Sequence, residues 1–469
     1  EYAQTVEDHY GRPMDIEWLL DGELDELYIV QARPETVHSA DEQNVLRNYT
    51  LEEDGEKLVE GVSIGNKIGS GRVRLLDSPT QMDQFEEGDV LVTERTDPDW
   101  EPIMKQAGAI VTEKGGKTSH AAIVSRELGV PAVVGAGGAR RKLKDGQDVT
   151  VDCTGSAGIV YDGELDYVIE EEELDEIPET DTEVMLILGD PAHAFNLAHL
   201  PVDGVGLARE EFIVTSHVGE HPLHLMEQGE EEKFVNALSS GIAKIAAAFH
   251  PGDVIVRLSD FKSDEYRGLQ GGEKYEPQES NPMLGWRGAS RYYDEQFEQA
   301  FELEIEALKR VRDEVGLDNV TVMVPFCRTP EEGERVKDIL DEHGMDTDEM
   351  DLYVMAELPS NIVLADEFAE IFDGFSIGSN DLTQLTLGVD RNSEKLAYLF
   401  DESNDAVKRE ISDLIDAAHG QDCKVGICGD APSTIDGYAE FLVEEGIDSI
   451  SVTPDVALET IFAVAEAEE

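Results

Sequence analysis

Gly374-Phe375-Ser376-Ile377-Gly378-Ser379-Asn380-Asp381-Leu382-Thr383-Gln384 reads as one complete unit of a repeating design. A short apolar run of strand character ends in glycine and small polar residues, and a helical segment begins at once. The same alternation extends over residues 184–469. Candidate strands fall at 184–188, 204–207, 254–258, 320–324, 352–355, 374–377, 424–427 and 449–452, with amphipathic stretches such as 297–315 and 331–343 between them. Eight such units predict an α/β fold closed as a (β/α)8, or TIM, barrel. A doubly wound open sheet is the alternative. No Gly-x-Gly-x-x-Gly follows a strand, which weighs against a dinucleotide site.

In a TIM barrel the chemistry collects at the C-terminal ends of the strands. Here those ends carry Arg209 and Glu210, then Arg257, Ser259 and Asp260, then Glu357, then Gly378 to Asp381, then Cys428 and Asp430. Glu357 and Asp381 offer the hard oxygen ligands that Mg²⁺ prefers. Each could equally cap a helix, since helical segments follow both. Arg209 and Arg257 present forked donors suited to phosphate or carboxylate, or to a structural ion pair. Cys428, at a strand tip before glycine, is either core filler or a proton donor and acceptor. Cys327 and Cys423 lack that setting and read as structural.

Upstream of the barrel, residues 63–165 form a compact β-rich domain of short strands and many glycines, of ordinary domain size. Its most informative stretch is Gly115-Gly116-Lys117-Thr118-Ser119-His120-Ala121-Ala122-Ile123. An apolar helical run from His120 stops at Gly129 and Pro131. His120 therefore sits at a helix N-terminus, where free N–H groups and the helix dipole favour an anion. A plain turn with a surface histidine is the other reading. Residues 40–62 read as a linker helix and 166–183 as an acidic linker or solvated helix. Residues 1–39 read as a hairpin, Asp15 to Trp18 against Leu27 to Pro34, with Glu17, Gln31 and Arg33 among apolar neighbours. A lone hairpin is marginal in water, so this one reads as the end of a domain whose larger part lies elsewhere.

Composition sets the outer bounds. The 469 residues carry 36 Lys+Arg against 104 Asp+Glu, a net charge of −68 spread along the chain. Such charge repels nucleic acid and anionic membranes, so neither is an expected partner. Dispersed acid suits high salt, where screening removes self-repulsion; a halophilic source is the expectation. The hydrophobic fraction of 40% excludes disorder. Four scattered cysteines without metal spacing suit a reducing cytoplasm. No apolar run is long enough to span a membrane.

Lys117-Thr118-Ser119-His120-Ala121-Ala122-Ile123 resembles the phosphohistidine motif of the PEP-utilising enzymes. That family includes phosphoenolpyruvate (PEP) synthase, pyruvate phosphate dikinase and enzyme I of the sugar phosphotransferase system. Three barrel stretches look like the synthase branch: Val256-Arg257-Leu258-Ser259-Asp260-Phe261-Lys262, Asn281-Pro282-Met283-Leu284-Gly285-Trp286-Arg287-Gly288, and Ser376 to Thr386. The resemblance covers nearly the whole chain, with the motifs in order.

It implies a swivelling phosphohistidine domain followed by a barrel that binds pyruvate or PEP. His120 would accept phosphate, and Arg209, Arg257, Arg287 and Arg391 would hold phosphate and carboxylate. Glu357 and Asp381 would bind Mg²⁺, Gly378, Ser379 and Asn380 would contact substrate, and Cys428 would handle the proton at the pyruvate methyl carbon. The hairpin resembles the tail of an ATP-grasp domain, with Glu17 as a metal-binding acid and Gln31 and Arg33 near the nucleotide. The implied reaction is gluconeogenic and cytoplasmic, turning ATP, pyruvate and water into AMP, PEP and phosphate. A homo-oligomer is expected, with the remaining ATP-grasp segment in a longer chain or a separate polypeptide. The two linkers would be hinges for the swing of His120 between sites. A phosphocarrier like enzyme I and pyruvate phosphate dikinase are the alternatives. Enzyme I would carry a partner-binding helical insert before the histidine domain, and no such helices are read here. Ala356 stands where the family often has cysteine.

Overall fold

The computed structural model describes residues 45–469 apart from 54, 66, 117–118, 156, 174–176, 348–349, 391–392 and 394, together with 14–21, 26–34 and residues 5, 6 and 9. The first two strands, β1 (Met14–Asp21) and β2 (Glu26–Pro34), pair antiparallel, with Glu17 opposite Gln31 and Asp15 opposite Arg33. The side chains of Glu17, Gln31 and Arg33 lie outside the description.

Two closed barrels follow. The smaller is made of β4 (Lys57–Ile64), β5 (Ile68–Leu75), β6 (Val90–Thr93), β7 (Ala109–Thr112), β8 (Ala132–Val134), β9 (Asp148–Asp152) and β10 (Ala157–Asp162), in the order β10-β4-β8-β7-β6-β5-β9. Its alternation is strict. Val90, Val92, Ala109, Val111 and Val133 fill the interior, while Leu91, Ile110, Ala132 and Val134 face outward. That outer layer is covered by Trp100, Ile103 and Met104, and by Ala121, Ala122 and Val124 of the helix His120–Glu127. A period of two decides each side chain's face, so a one-residue slip would expose the whole set. Strands β5 to β8 run parallel. The loops after β6 and β7 therefore leave from one end of the barrel, and His120 lies on the second of them.

The larger barrel has eight parallel strands in sequence order: β12 (Glu183–Leu188), β13 (Gly204–Arg209), β14 (Val254–Arg257), β15 (Val320–Val324), β16 (Leu352–Ala356), β17 (Gly374–Ile377), β18 (Lys424–Ile427) and β19 (Ser449–Val452). Closure of β19 onto β12 excludes the open sheet. Ile187, Leu207, Ile255, Met323, Tyr353 and Met355 fill its interior, and the residues between them pack outward under the helices.

The connections differ from expectation. Residues 45–51 form a strand, β3 (Val45–Leu51), not a helix, and it pairs with β11 (Tyr167–Glu173) in an antiparallel ribbon. Val45, Tyr49 and Thr50 favour the extended chain, and each segment supplies the backbone partners the other needs. Among the described residues of 40–62 and 166–183 no helix forms; the ribbon pairs the segments that enter and leave the small barrel. No helix among the described residues is long and apolar enough to cross a membrane.

Candidate active site

Strand parity builds the rim of the large barrel. Leu207, Ile255 and Met355 point inward, so Arg209, Arg257 and Glu357, each two residues further on, turn into the mouth of the same barrel. Cys428, one residue past β18, tops the interior stack. These residues line one cleft of about 300 Å³ together with Asp260, Arg287, Gly378, Asn380 and Asp381. His120 of the small barrel lines it too.

The dock side is densely cross-linked. Arg287 Nε donates to Asp260 Oδ1 at 2.9 Å, and its Nη2 reaches Asp260 Oδ2 and, at 3.0 Å, Asp381 Oδ2. Arg257 Nη2 donates to Glu211 Oε1 at 2.9 Å. Burial opposes the charge on Arg257, but Glu211, Asp260 and Glu357 outweigh it and hold the guanidinium above its ordinary value. The ion-pair reading of Arg257 is therefore met by Glu211, yet Arg257 also faces the cleft.

Neither carboxylate is a cap. Asp381 lies inside the first turn of the helix Ser379–Leu387, and Leu358 holds the cap position after Glu357. Glu357 is 2% exposed, and its Oε1 accepts the Phe326 N–H at 2.7 Å. Burial, then Asp381 and Asp260, push its carboxyl up to about 8, against the pull of Arg287 and Arg257. Crowded like charges of this kind fit a site that a divalent cation would neutralise. Two protein carboxylates, with the rest of the shell left to water and substrate, match how Mg²⁺ is commonly held.

Supporting residues come from places the sequence reading passed over. Phe326, just beyond β15, has φ 44, in the left-handed region that bulky residues avoid. That conformation turns its N–H onto Glu357 and its ring under Arg287, 4.1 Å from the guanidinium. Gly288 must be glycine beside it, because φ is 58 and a Cβ would sit 2.5 Å from Phe326 Cβ. Asn361 accepts from the Glu357 and Leu358 N–H groups and donates to Cys327 O. Ser379 Oγ donates to Glu402 Oε1 at 2.6 Å, and Asn380 Nδ2 to Asp430 Oδ2 at 2.8 Å. Cys428 is buried, and burial pushes its thiol up to about 11 despite Ser376 and Arg257. Cys327 and Cys423 are buried away from the cleft. Arg391 lies outside the described residues, as do Lys117 and Thr118.

The carrier side is sparse. His120 opens its helix, preceded by Ser119 in extended conformation. Its Nδ1 lies 3.0 Å from Thr96 Oγ1. If Nδ1 carries the proton, Thr96 accepts it and Nε2 keeps a lone pair. Nε2 is buried without a hydrogen-bond partner among the described residues, 3.6 Å from Glu101 Oε1. Polar contacts between the barrels at this point include Ser216 Oγ donating to Glu101 Oε2 at 2.9 Å and Lys105 Nζ pairing with Asp190 Oδ2 at 2.8 Å.

The comparisons with known proteins match the order of the two barrels. Residues 169–468 match the family described as PEP-utilising enzyme, PEP-binding domain, and residues 85–155 match its mobile domain. Residues 1–53 match the AMP/ATP-binding domain of pyruvate phosphate dikinase. Curated relatives named phosphoenolpyruvate synthase include those of Synechocystis, 52% identical over all of this chain and 61% of the relative, and of Aquifex aeolicus, 50% identical over all of this chain and 64% of the relative. The Escherichia coli protein of that name is 49% identical over 99% of this chain and 61% of its own length. The chain thus spans about three fifths of the curated relatives it matches. With a PEP-binding match over most of its length and a mobile-domain match around His120, the chain belongs to the PEP-utilising enzyme family.

Proposed function

We propose that this chain carries the pyruvate half of a pyruvate, water dikinase reaction, in which ATP, pyruvate and water give AMP, PEP and phosphate through phospho-His120. The observation that carries the reading is His120 Nε2, buried without a hydrogen-bond partner among the described residues, on a residue that lines the same cleft as Arg209, Arg257, Arg287, Glu357, Asp381 and Cys428.

Taken from PEP, the step runs as follows. The arginines orient the carboxylate and phosphate. The Nε2 lone pair attacks phosphorus, the O–P bond breaks, and its electrons stay on the enolate oxygen. The enolate then takes the Cys428 proton at its methylene carbon, giving pyruvate and a thiolate that solvent reprotonates. A thiol held up to about 11 rests in the protonated form this direction requires. In synthesis every step reverses, so Cys428 must first lose its proton. Glu357 and Asp381 would hold Mg²⁺, which when bound supplies charge stabilisation at the enolate oxygen. Transfer of this kind depends on position and charge neutralisation.

The ATP half belongs to the same proposal, with residues 1–53 as part of the nucleotide-binding domain and Glu17, Gln31 and Arg33 on its nucleotide side. So do Arg391 as an anion ligand, the homo-oligomer, and a swing of residues 63–165 against the barrel at 184–469. The relatives' name favours a synthase over a phosphocarrier. PEP labelled at phosphorus should label this chain on His120 and release pyruvate, and His120→Ala should abolish both. Labelling that survives the substitution would refute the carrier role.

A further inference from the structure

Glu101 is a carboxylate that the pyruvate-side chemistry does not use. It opens the short helix Glu101–Met104 of the small barrel and is 5% exposed. One oxygen lies 3.6 Å from His120 Nε2, and the other accepts the Ser216 hydroxyl across the barrel interface. One side chain thus touches both the acceptor nitrogen and the dock.

We propose that Glu101 is a positioning residue that disfavours phospho-His120 in the docked state and so drives the phosphoryl group towards the enolate. The inference rests on the carrier reading of His120. Thr96 fixes Nδ1, so the ring cannot turn Nε2 away without losing that contact. A phosphoryl group on Nε2 would enter the space beside Glu101 Oε1 and set two anions in contact. Repulsion between like charges a few ångströms apart is large where water is excluded. Across the cleft Arg209 and Arg257 attract the same group. In the synthetic direction the N–P bond breaks with its electron pair left on Nε2, the O–P bond forms at the enolate oxygen, and the Glu101 repulsion is relieved. The Lys105–Asp190 pair, which does not touch His120, also holds the barrels together. Glu101 therefore acts on the balance between the two phosphorylated species rather than on docking alone.

The test is an equilibrium. The 469-residue chain is incubated with PEP labelled at phosphorus and pyruvate in fixed ratio, and the ratio of phosphorylated to free His120 is measured. Glu101→Gln should raise that ratio at least about fivefold, the scale of one like-charge contact even when it is fully screened by bulk water. Glu101→Asp keeps the charge and should stay near the parent. Ser216→Ala removes the interface bond, keeps the charge, and should leave the ratio unchanged. An unchanged ratio in Glu101→Gln overturns the proposal. So does an equal rise in Glu101→Asp, which would exclude charge as the cause, or in Ser216→Ala, which would make Glu101 a docking contact only. No label on the parent chain would overturn the carrier reading itself, and this inference with it.

Discussion

Arg287 and His120 face one cleft from two barrels, and they are held in opposite ways. Arg287 is nearly buried, forked onto Asp260, bonded to Asp381 and stacked on Phe326. Among the described residues the His120 side chain has one hydrogen bond, to Thr96, and its Nε2 has none. A group that must stay in place is fixed by several partners whose own positions are fixed. A group that must receive and release a phosphoryl cannot have its reactive atom committed to another bond. The difference predicts that the two residues fail in different ways when replaced.

Arg287→Met should leave Asp260 a buried carboxylate without its forked partner and take one partner from Asp381. Removing one partner of such a pair costs about 3–5 kcal/mol, readable in urea unfolding monitored by tryptophan fluorescence. His120→Ala, the carrier substitution proposed above, should lose all phosphoryl transfer yet cost only about 1 kcal/mol, the scale of the one Thr96 hydrogen bond it removes. Equal destabilisation by the two would erase the distinction between fixed dock and free carrier.

Glu357 sharpens the same contrast through pH. Its carboxyl is raised from 4.5 to about 8 in the fold. A raised value means that the folded state holds a proton the unfolded chain has released. The stabilising contribution of that group is therefore complete below the ordinary carboxylate range and lost as pH rises towards 8. Glu357→Gln cannot lose it. Between pH 5 and pH 8 the variant should gain stability relative to the parent, while its Mg²⁺ requirement for transfer from PEP should rise. Parallel pH curves for the two proteins would mean that the carboxylate is ionised throughout.

Cys428 gives a smaller effect. Burial holds its thiol at about 11, so alkylation by iodoacetamide should be slow and should rise close to tenfold per pH unit from 7 to 9 without a plateau. Cys428→Ala should also stop exchange of the pyruvate methyl protons. A plateau near pH 8 would show a thiolate the site stabilises, and would reverse the resting direction of the proton.

Much of the dock was legible because strand parity transmits position. Once residues 254–258 are a barrel strand with Ile255 inside, Arg257 must face the mouth, and Arg209 and Glu357 follow by the same count. Both barrels share this alternation, which is why all eight large-barrel strands were readable. What parity does not carry was missed. Glu211 reaches Arg257 from another unit of the barrel, the pairing of Asp260 with Arg287 spans 27 residues, and Phe326 depends on a left-handed turn that no pattern announces. Glu101 and Ser216 lie 115 residues apart and meet only because two barrels touch. The ribbon of β3 and β11 was missed for a related reason. An acidic run such as Glu170 to Glu173 looks like solvated helix until its partner strand is known.

Salt offers the finest separation of the two regions. The net charge of −68 is spread along the chain, so its self-repulsion is screened within a Debye length of about 3 Å at 1 M salt. We propose that the fold is adapted to such conditions, and the melting temperature should climb steadily with KCl. The Arg287–Asp260–Asp381 cluster is buried and is screened far less. The cost of Arg287→Met should therefore persist in molar KCl even as both proteins gain stability. A melting temperature indifferent to KCl would remove the halophilic reading. A cost that vanished in KCl would mean that the cluster is open to solvent ions, and Arg287 would then be as loosely held as His120.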